Sequence, residues 1–86
     1  MIFCVEDDSN IRELVVYTLE TTGFKARGFE DGREFLEALA LETPELVLMD
    51  ITLPFYNGFY WCTEIRRISK IPIVFLSSAS DNMNIV

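Results

Sequence analysis

Four carboxylates stand where apolar runs break off: Glu6, Asp7 and Asp8 after the run at 1–5, and Asp50 after the run at 46–49. A third apolar run, at 73–76, ends in the hydroxyls of Ser77 and Ser78. A lone acid at the end of a strand is ordinary, a charge placed where the chain meets water. Two acid-tipped strands lying side by side are a different matter, because like charges at one edge repel. Such a cluster persists most easily around a hard cation with oxygen ligands. In open α/β sheets, ligands bind at the carboxyl ends of the strands. The chemistry on offer is therefore cation binding by converging carboxylates.

Positioning these groups requires parallel strands. Leu46 to Met49 is too short for a buried helix and follows the helix-breaking pair Thr43-Pro44, so it reads as a strand buried on both faces. The run at 73–76 reads the same way. Asn10 and Glu13 fit a capping pair for a helix reaching about Thr22, with Ile11, Leu14, Val15, Thr18 and Leu19 as its buried face. Gly23 then stands where a left-handed C-terminal cap is wanted. Residues 24–29 form a weaker strand in which Lys25 and Arg27 alternate outward, which suits an edge. Asp31 and Glu34 open a second helix with a D-x-x-E capping box, and Phe35, Leu36 and Leu39 are its buried stripe. Pro54 and Asn57-Gly58 mark a loop; a third helix runs from about Phe59 to Ser69, ended by Ile71-Pro72. The order is β-α-β-α-β-α-β, and right-handed crossovers place helices on both faces of the sheet.

Composition narrows the function further. At 86 residues the chain is one small domain, and with half of them hydrophobic it folds rather than staying disordered. Fourteen acidic residues against seven basic ones give a net charge of -7, a poor surface for nucleic acid or anionic membrane. The apolar runs are far too short to span a bilayer. Histidine is absent, which excludes a Ser-His or Cys-His nucleophile and a His-ligated metal within these residues. Cys4 and Cys62, isolated from one another, fit buried thiols in a reducing compartment rather than a disulfide or zinc site.

Taken together, Val5-Glu6-Asp7-Asp8, Leu48-Met49-Asp50-Ile51-Thr52-Leu53-Pro54 with Asn57-Gly58, and the Ser77-Ser78 end of the last run resemble the receiver domain of two-component response regulators, the CheY-like family. The resemblance covers the whole chain and implies a flavodoxin-like, doubly wound parallel sheet with strand order 2-1-3-4. It implies that Asp50 accepts a phosphoryl group from a phosphohistidine on a sensor histidine kinase. Glu6 and Asp7 match the acidic pair that holds Mg²⁺, Asp7 directly and Glu6 partly through water. Asp50 would join them at the metal, Thr52 would offer it a backbone carbonyl, and Ser77 would hydrogen-bond the phosphoryl oxygen. The chain would assist its own phosphorylation without being a turnover enzyme, in the cytoplasm. It could form a homodimer and would reach DNA only through a separate output domain.

The family pattern continues past Val86 with a helix, a fifth strand carrying a Lys beside a Pro, and a last helix. Residues 1–86 are accordingly expected to be the N-terminal portion of a receiver, with the strand at 73–76 left at an open edge. Lys70 lies at the wrong end of that strand to replace the family's Lys. Other residues have plainer readings: Asp8 faces solvent near a helix start, Ser78 packs, and Phe55, Tyr56 and Trp61 pack locally. Gly58 answers to backbone conformation at the loop-to-helix junction. An alternative is a receiver-like interaction module that is not phosphorylated. A small-molecule phosphatase or phosphotransferase fits less well, since Thr52 occupies the place of its second acid.

Overall fold

The computed structural model describes residues 1–53 and 56–76. Short apolar runs become strands: β1 (Ile2–Val5), β2 (Ala26–Phe29), β3 (Leu46–Asp50) and β4 (Ile73–Leu76). Between them lie α1 (Ser9–Thr21), α2 (Gly32–Leu39) and α3 (Gly58–Arg66). The sheet is parallel with order β2-β1-β3-β4, the doubly wound flavodoxin-like arrangement expected from the chain order. Val5 is in register with Phe29 on one side and Met49 on the other, and Asp50 is in register with Leu76. This register aligns the carboxyl ends of β1 and β3.

Alternation along the strands builds the core. Phe3 and Val5 of β1, with Val47 and Met49 of β3, lie fully buried and cluster with Phe35 and Ala38 of α2 and Ile65 of α3. Phe3, Phe29 and Phe35 meet edge to face, with centroids 4.9 to 6.2 Å apart, so α2 is keyed to β1 and β2 by ring geometry as well as by area. α2 also touches α3. There the Trp61 indole lies so close over Gly32 that a Cβ would overlap its ring.

Helix ends follow local chemistry, with one change of cap. Asp8, not Asn10, caps α1: its Oδ1 accepts from the N–H of Asn10 at 2.9 Å and of Ile11 at 3.1 Å. An acid placed before Ser9 satisfies these otherwise unpaired donors and meets the positive end of the helix dipole, so the helix starts earlier than the Asn10–Glu13 pattern suggests. Gly23 has φ 100°, the left-handed conformation its position after α1 requires. Asp31 accepts from the Glu34 N–H at 2.9 Å, while Glu34 Oε1 accepts from Glu30 N–H at 3.1 Å. α3 ends at Arg66, short of Ser69, as the Arg66 guanidinium turns to the Ile71 carbonyl at 2.6 Å.

Two expected burial patterns differ. In α1 no residue is fully buried, and Ile11 and Leu14 are 41% and 63% exposed. The helix rests mainly on β2 and β1, so Val15 and Leu19 are half-covered while the leading part of the stripe faces outward. β4 is likewise not a strand buried on both faces: Val74 is 48% exposed, because among the described residues β4 pairs with β3 alone. Among the described residues no helix is long and apolar enough to cross a membrane.

Candidate functional site

β1 and β3 run parallel and in register, so the residues that follow Val5 and Met49 emerge at the same edge. Glu6, Asp7 and Asp50 each bring a carboxylate oxygen there, all within 4.8 Å of one another. Glu6 and Asp50 are 6% and 5% exposed, whereas Asp7 opens to solvent. Backbone groups fix the two buried acids. Glu6 Oε2 accepts from the Asp8 N–H at 3.1 Å, and Asp50 Oδ1 accepts from the Thr52 N–H at 3.2 Å. The Glu6 N–H is itself tied to the Phe29 carbonyl at 3.0 Å, which anchors the turn to β2. Asp8 stays out of the cluster because its carboxylate is committed to the start of α1.

The electrostatics follow from this burial. Desolvation pushes Glu6 from an ordinary 4.5 up to about 7, reinforced by Asp50 and opposed by the Asp8 N–H. Burial also raises Asp50, with Asp7 adding repulsion and the Thr52 N–H resisting it. Among the described residues no Lys or Arg forms an ion pair with these carboxylates. Three converging acids, two of them desolvated and none paired, are the donor set of a hard divalent cation that keeps part of its water shell. The residues present fit Mg²⁺.

The sign of the pH dependence is determined by Glu6. Between 4.5 and about 7 the folded chain binds more protons than the unfolded one, so stability falls as pH rises through that window. Urea melts without metal are expected to show a more stable protein at about pH 5 than at about pH 7.5. Adding Mg²⁺ at the higher pH should restore the loss. A metal-free profile that is flat or rises over this range would show the carboxylates to be relaxed.

The other residues singled out from sequence are placed as follows. Thr52 has an exposed side chain, and its backbone N–H touches Asp50. Ser77 and Ser78, like Pro54, Phe55 and residues 79–86, lie outside the described residues; Leu76, the residue before Ser77, is the register partner of Asp50. Tyr56 stacks on Tyr60 at 4.2 Å and meets Trp61 edge-on at 5.9 Å, the local packing its position suggests. Gly58 is not in a left-handed conformation; Gly23 alone is, among the described residues. Its role is close approach, since a Cβ on Gly58 would run into the Asp50 carbonyl and come within 3.0 Å of Met49 Cγ. Sequence reading overlooked Arg12. Its Nη1 donates to the carbonyls of Glu6 at 2.7 Å and Asp7 at 3.5 Å. The available signal was a cation in the first turns of the helix that follows the acidic turn.

Known proteins resemble the whole of this arrangement. The family model described as "Response regulator receiver domain" matches residues 2–86. An uncharacterized transcriptional regulatory protein of Bacillus subtilis, YvcP, is 42% identical over 83 residues, covering 96% of this chain and 35% of its own. The response regulator protein GraR of Staphylococcus aureus is 39% identical over 83 residues, with 96% and 37% covered. The chain thus spans little more than a third of the length of these relatives. Among solved structures, the N-terminal domain of the nisin resistance regulator NsrR superposes with TM-score 0.81 at 40% identity, covering 96% of this chain and 70% of that one. The response regulator TrrA of Thermotoga maritima, solved in complex with Mg²⁺-BeF, gives 0.83 at 31% identity, with 94% and 72% covered.

Proposed function

The chain belongs to the response regulator receiver domain family, and from that premise we propose that Asp50 is its phosphoacceptor, loaded from a phosphohistidine on a sensor histidine kinase. The observation that carries this reading is the set of three uncompensated carboxylates within 4.8 Å at the carboxyl edge of the sheet. The Thr52 N–H donates to Asp50 Oδ1 and helps hold the carboxylate, one oxygen of which would attack the phosphorus. As the new O–P bond forms, the P–N bond to the donor imidazole breaks, and the imidazole nitrogen keeps the electron pair and takes a proton from solvent. Mg²⁺, when bound, neutralises the charge on the phosphoryl oxygens and lets them approach three acids.

Within this reading Asp7 and Asp50 would hold the metal, with Glu6 assisting partly through water and Thr52 offering its backbone carbonyl. Ser77 hydrogen-bonds a phosphoryl oxygen after transfer. The chain is a switch rather than a turnover enzyme. Its output runs through a separate domain of the kind implied by relatives named as transcriptional regulators.

Two measurements test the reading. Beryllofluoride with Mg²⁺ should bind tightly and only while Asp50 is intact; no Asp50-dependent binding would leave the unphosphorylated interaction module as the better account. In direct Mg²⁺ titrations, Asp7→Asn is expected to abolish binding, whereas Asp8→Asn changes it little, since Asn caps a helix as well as Asp does. Equal losses from both would mean that the metal sits elsewhere on the turn.

A further inference from the structure

We infer that Arg12 is the positioning residue of the acidic turn, holding the backbone between β1 and α1 so that Asp7 faces Glu6 and Asp50 in a metal-binding arrangement. This rests on the Mg²⁺ reading above. Glu6 and Asp50 are each held through a carboxylate oxygen, by the N–H groups of Asp8 and Thr52. Asp7 is exposed; among the described residues its carboxylate meets only the other two acids of the cluster, and the N–H donor found on it, from Arg12, reaches its backbone. The shorter of the two Arg12 bonds, 2.7 Å to the Glu6 carbonyl, fixes the peptide plane that joins Glu6 to Asp7. Fixing that plane sets the direction in which the Asp7 side chain leaves the chain. A charged donor makes this bond stronger than an ordinary turn hydrogen bond.

A second feature shows that the fold makes room for this contact. The aliphatic stem of Arg12 crosses β2 at Gly28, where a Cβ would lie 2.7 Å from Cγ and 2.9 Å from Cδ. Any larger residue at 28 would lift the stem and pull the guanidinium off the turn. Gly28 is exposed and has no left-handed conformation to explain it, so clearance for Arg12 is what this position supplies. Arg12 is also a positive charge close to a cation site, and alone that would weaken metal binding. The positioning and charge effects therefore predict opposite signs, which makes the inference testable.

Calorimetric Mg²⁺ titration of the intact protein decides it. Arg12→Ala is expected to bind Mg²⁺ about tenfold more weakly, the scale of loss seen when outer-shell partners of metal ligands are removed. Gly28→Ala, which touches none of the three acids, should weaken binding in the same direction. Introduced into Arg12→Ala it should add nothing, because the stem it displaces is gone. Melting temperatures of the metal-free variants are recorded alongside, and Gly28→Ala settles the question if Arg12→Ala does not fold. Unchanged affinity with a lower melting temperature would reduce Arg12 to a structural role and overturn the inference. Tighter binding would overturn it as well, by leaving only charge repulsion. If Asp7→Asn also keeps full affinity, the Mg²⁺ reading fails and takes this inference with it; affinity lost there but kept in Arg12→Ala sinks the positioning role alone.

Discussion

Asp50→Asn is expected to reduce phosphoryl labelling to background, both from a phosphorylated histidine kinase and from acetyl phosphate. The amide keeps the shape of the carboxylate and can still accept from the Thr52 N–H, but it offers no nucleophilic oxygen. Losing a nucleophile outright costs on the order of 10⁶ in rate where this has been dissected in a hydrolase, so no partial activity should remain. Folding does not confound the result. Asp50 is buried beside Glu6 and Asp7, and its charge is disfavoured there, so neutralising it relieves repulsion. The metal-free variant should melt at or above the parent's temperature at neutral pH. Quantitative labelling by mass spectrometry, with the modified peptide identified, is the direct readout. A label that persists at full yield would place the acceptor on another residue.

Gly58→Ala is the stability change with the largest expected effect, although helix propensity argues the other way. At the first position of a helix, Ala is intrinsically better than Gly by up to about 1 kcal/mol. Gly58, however, is buried, and a Cβ there would overlap the Asp50 backbone carbonyl. Backbone does not yield as a flexible side-chain tip does, and forcing extra atoms into a packed site costs about 1–3 kcal/mol, sometimes more. We expect a net loss of about 2 kcal/mol, read as a melting temperature lower by roughly 10 °C for a domain of this size. The displaced atom belongs to Asp50, the proposed phosphoacceptor, so labelling of the folded fraction should fall too. Gly23→Ala provides the contrast. It strains a left-handed turn with open space around it and costs about 1 kcal/mol, and it leaves labelling intact. Equal labelling losses in both variants would show that the effect is general destabilisation.

What the amino-acid order determined by itself was whatever depends on near neighbours. Short apolar runs bounded by Pro, Gly and acids became strands, and Asp31 with Glu34 and Gly23 marked helix ends through hydrogen bonds spanning a few residues. Because strands of one parallel sheet share an edge, acids directly after two such runs were bound to meet. The convergence of Glu6, Asp7 and Asp50 was legible for that reason.

Tertiary structure alone decided the matters that depend on distant partners. Asp8 read as a solvent-facing acid near a helix start, and only folding showed that it caps α1 in place of Asn10, a commitment that keeps its carboxylate out of the cluster. The apolar stripe of α1 looked buried in sequence, and the run at 73–76 read as a buried strand, although one left at an open edge. Burial, however, is a property of what lies opposite, and Leu14 and Val74 have little opposite them among the described residues. Gly58 resembled a turn glycine and proved to be clearance for the Asp50 carbonyl. Arg12 and Gly28, sixteen residues apart, became neighbours only because β2 pairs with β1 and α1 crosses back over both. Periodicity specifies which face a residue takes on its own element. The parallel register of β1 with β2 and β3 specifies what that face meets, and at this site it places a guanidinium on the turn that carries the acids.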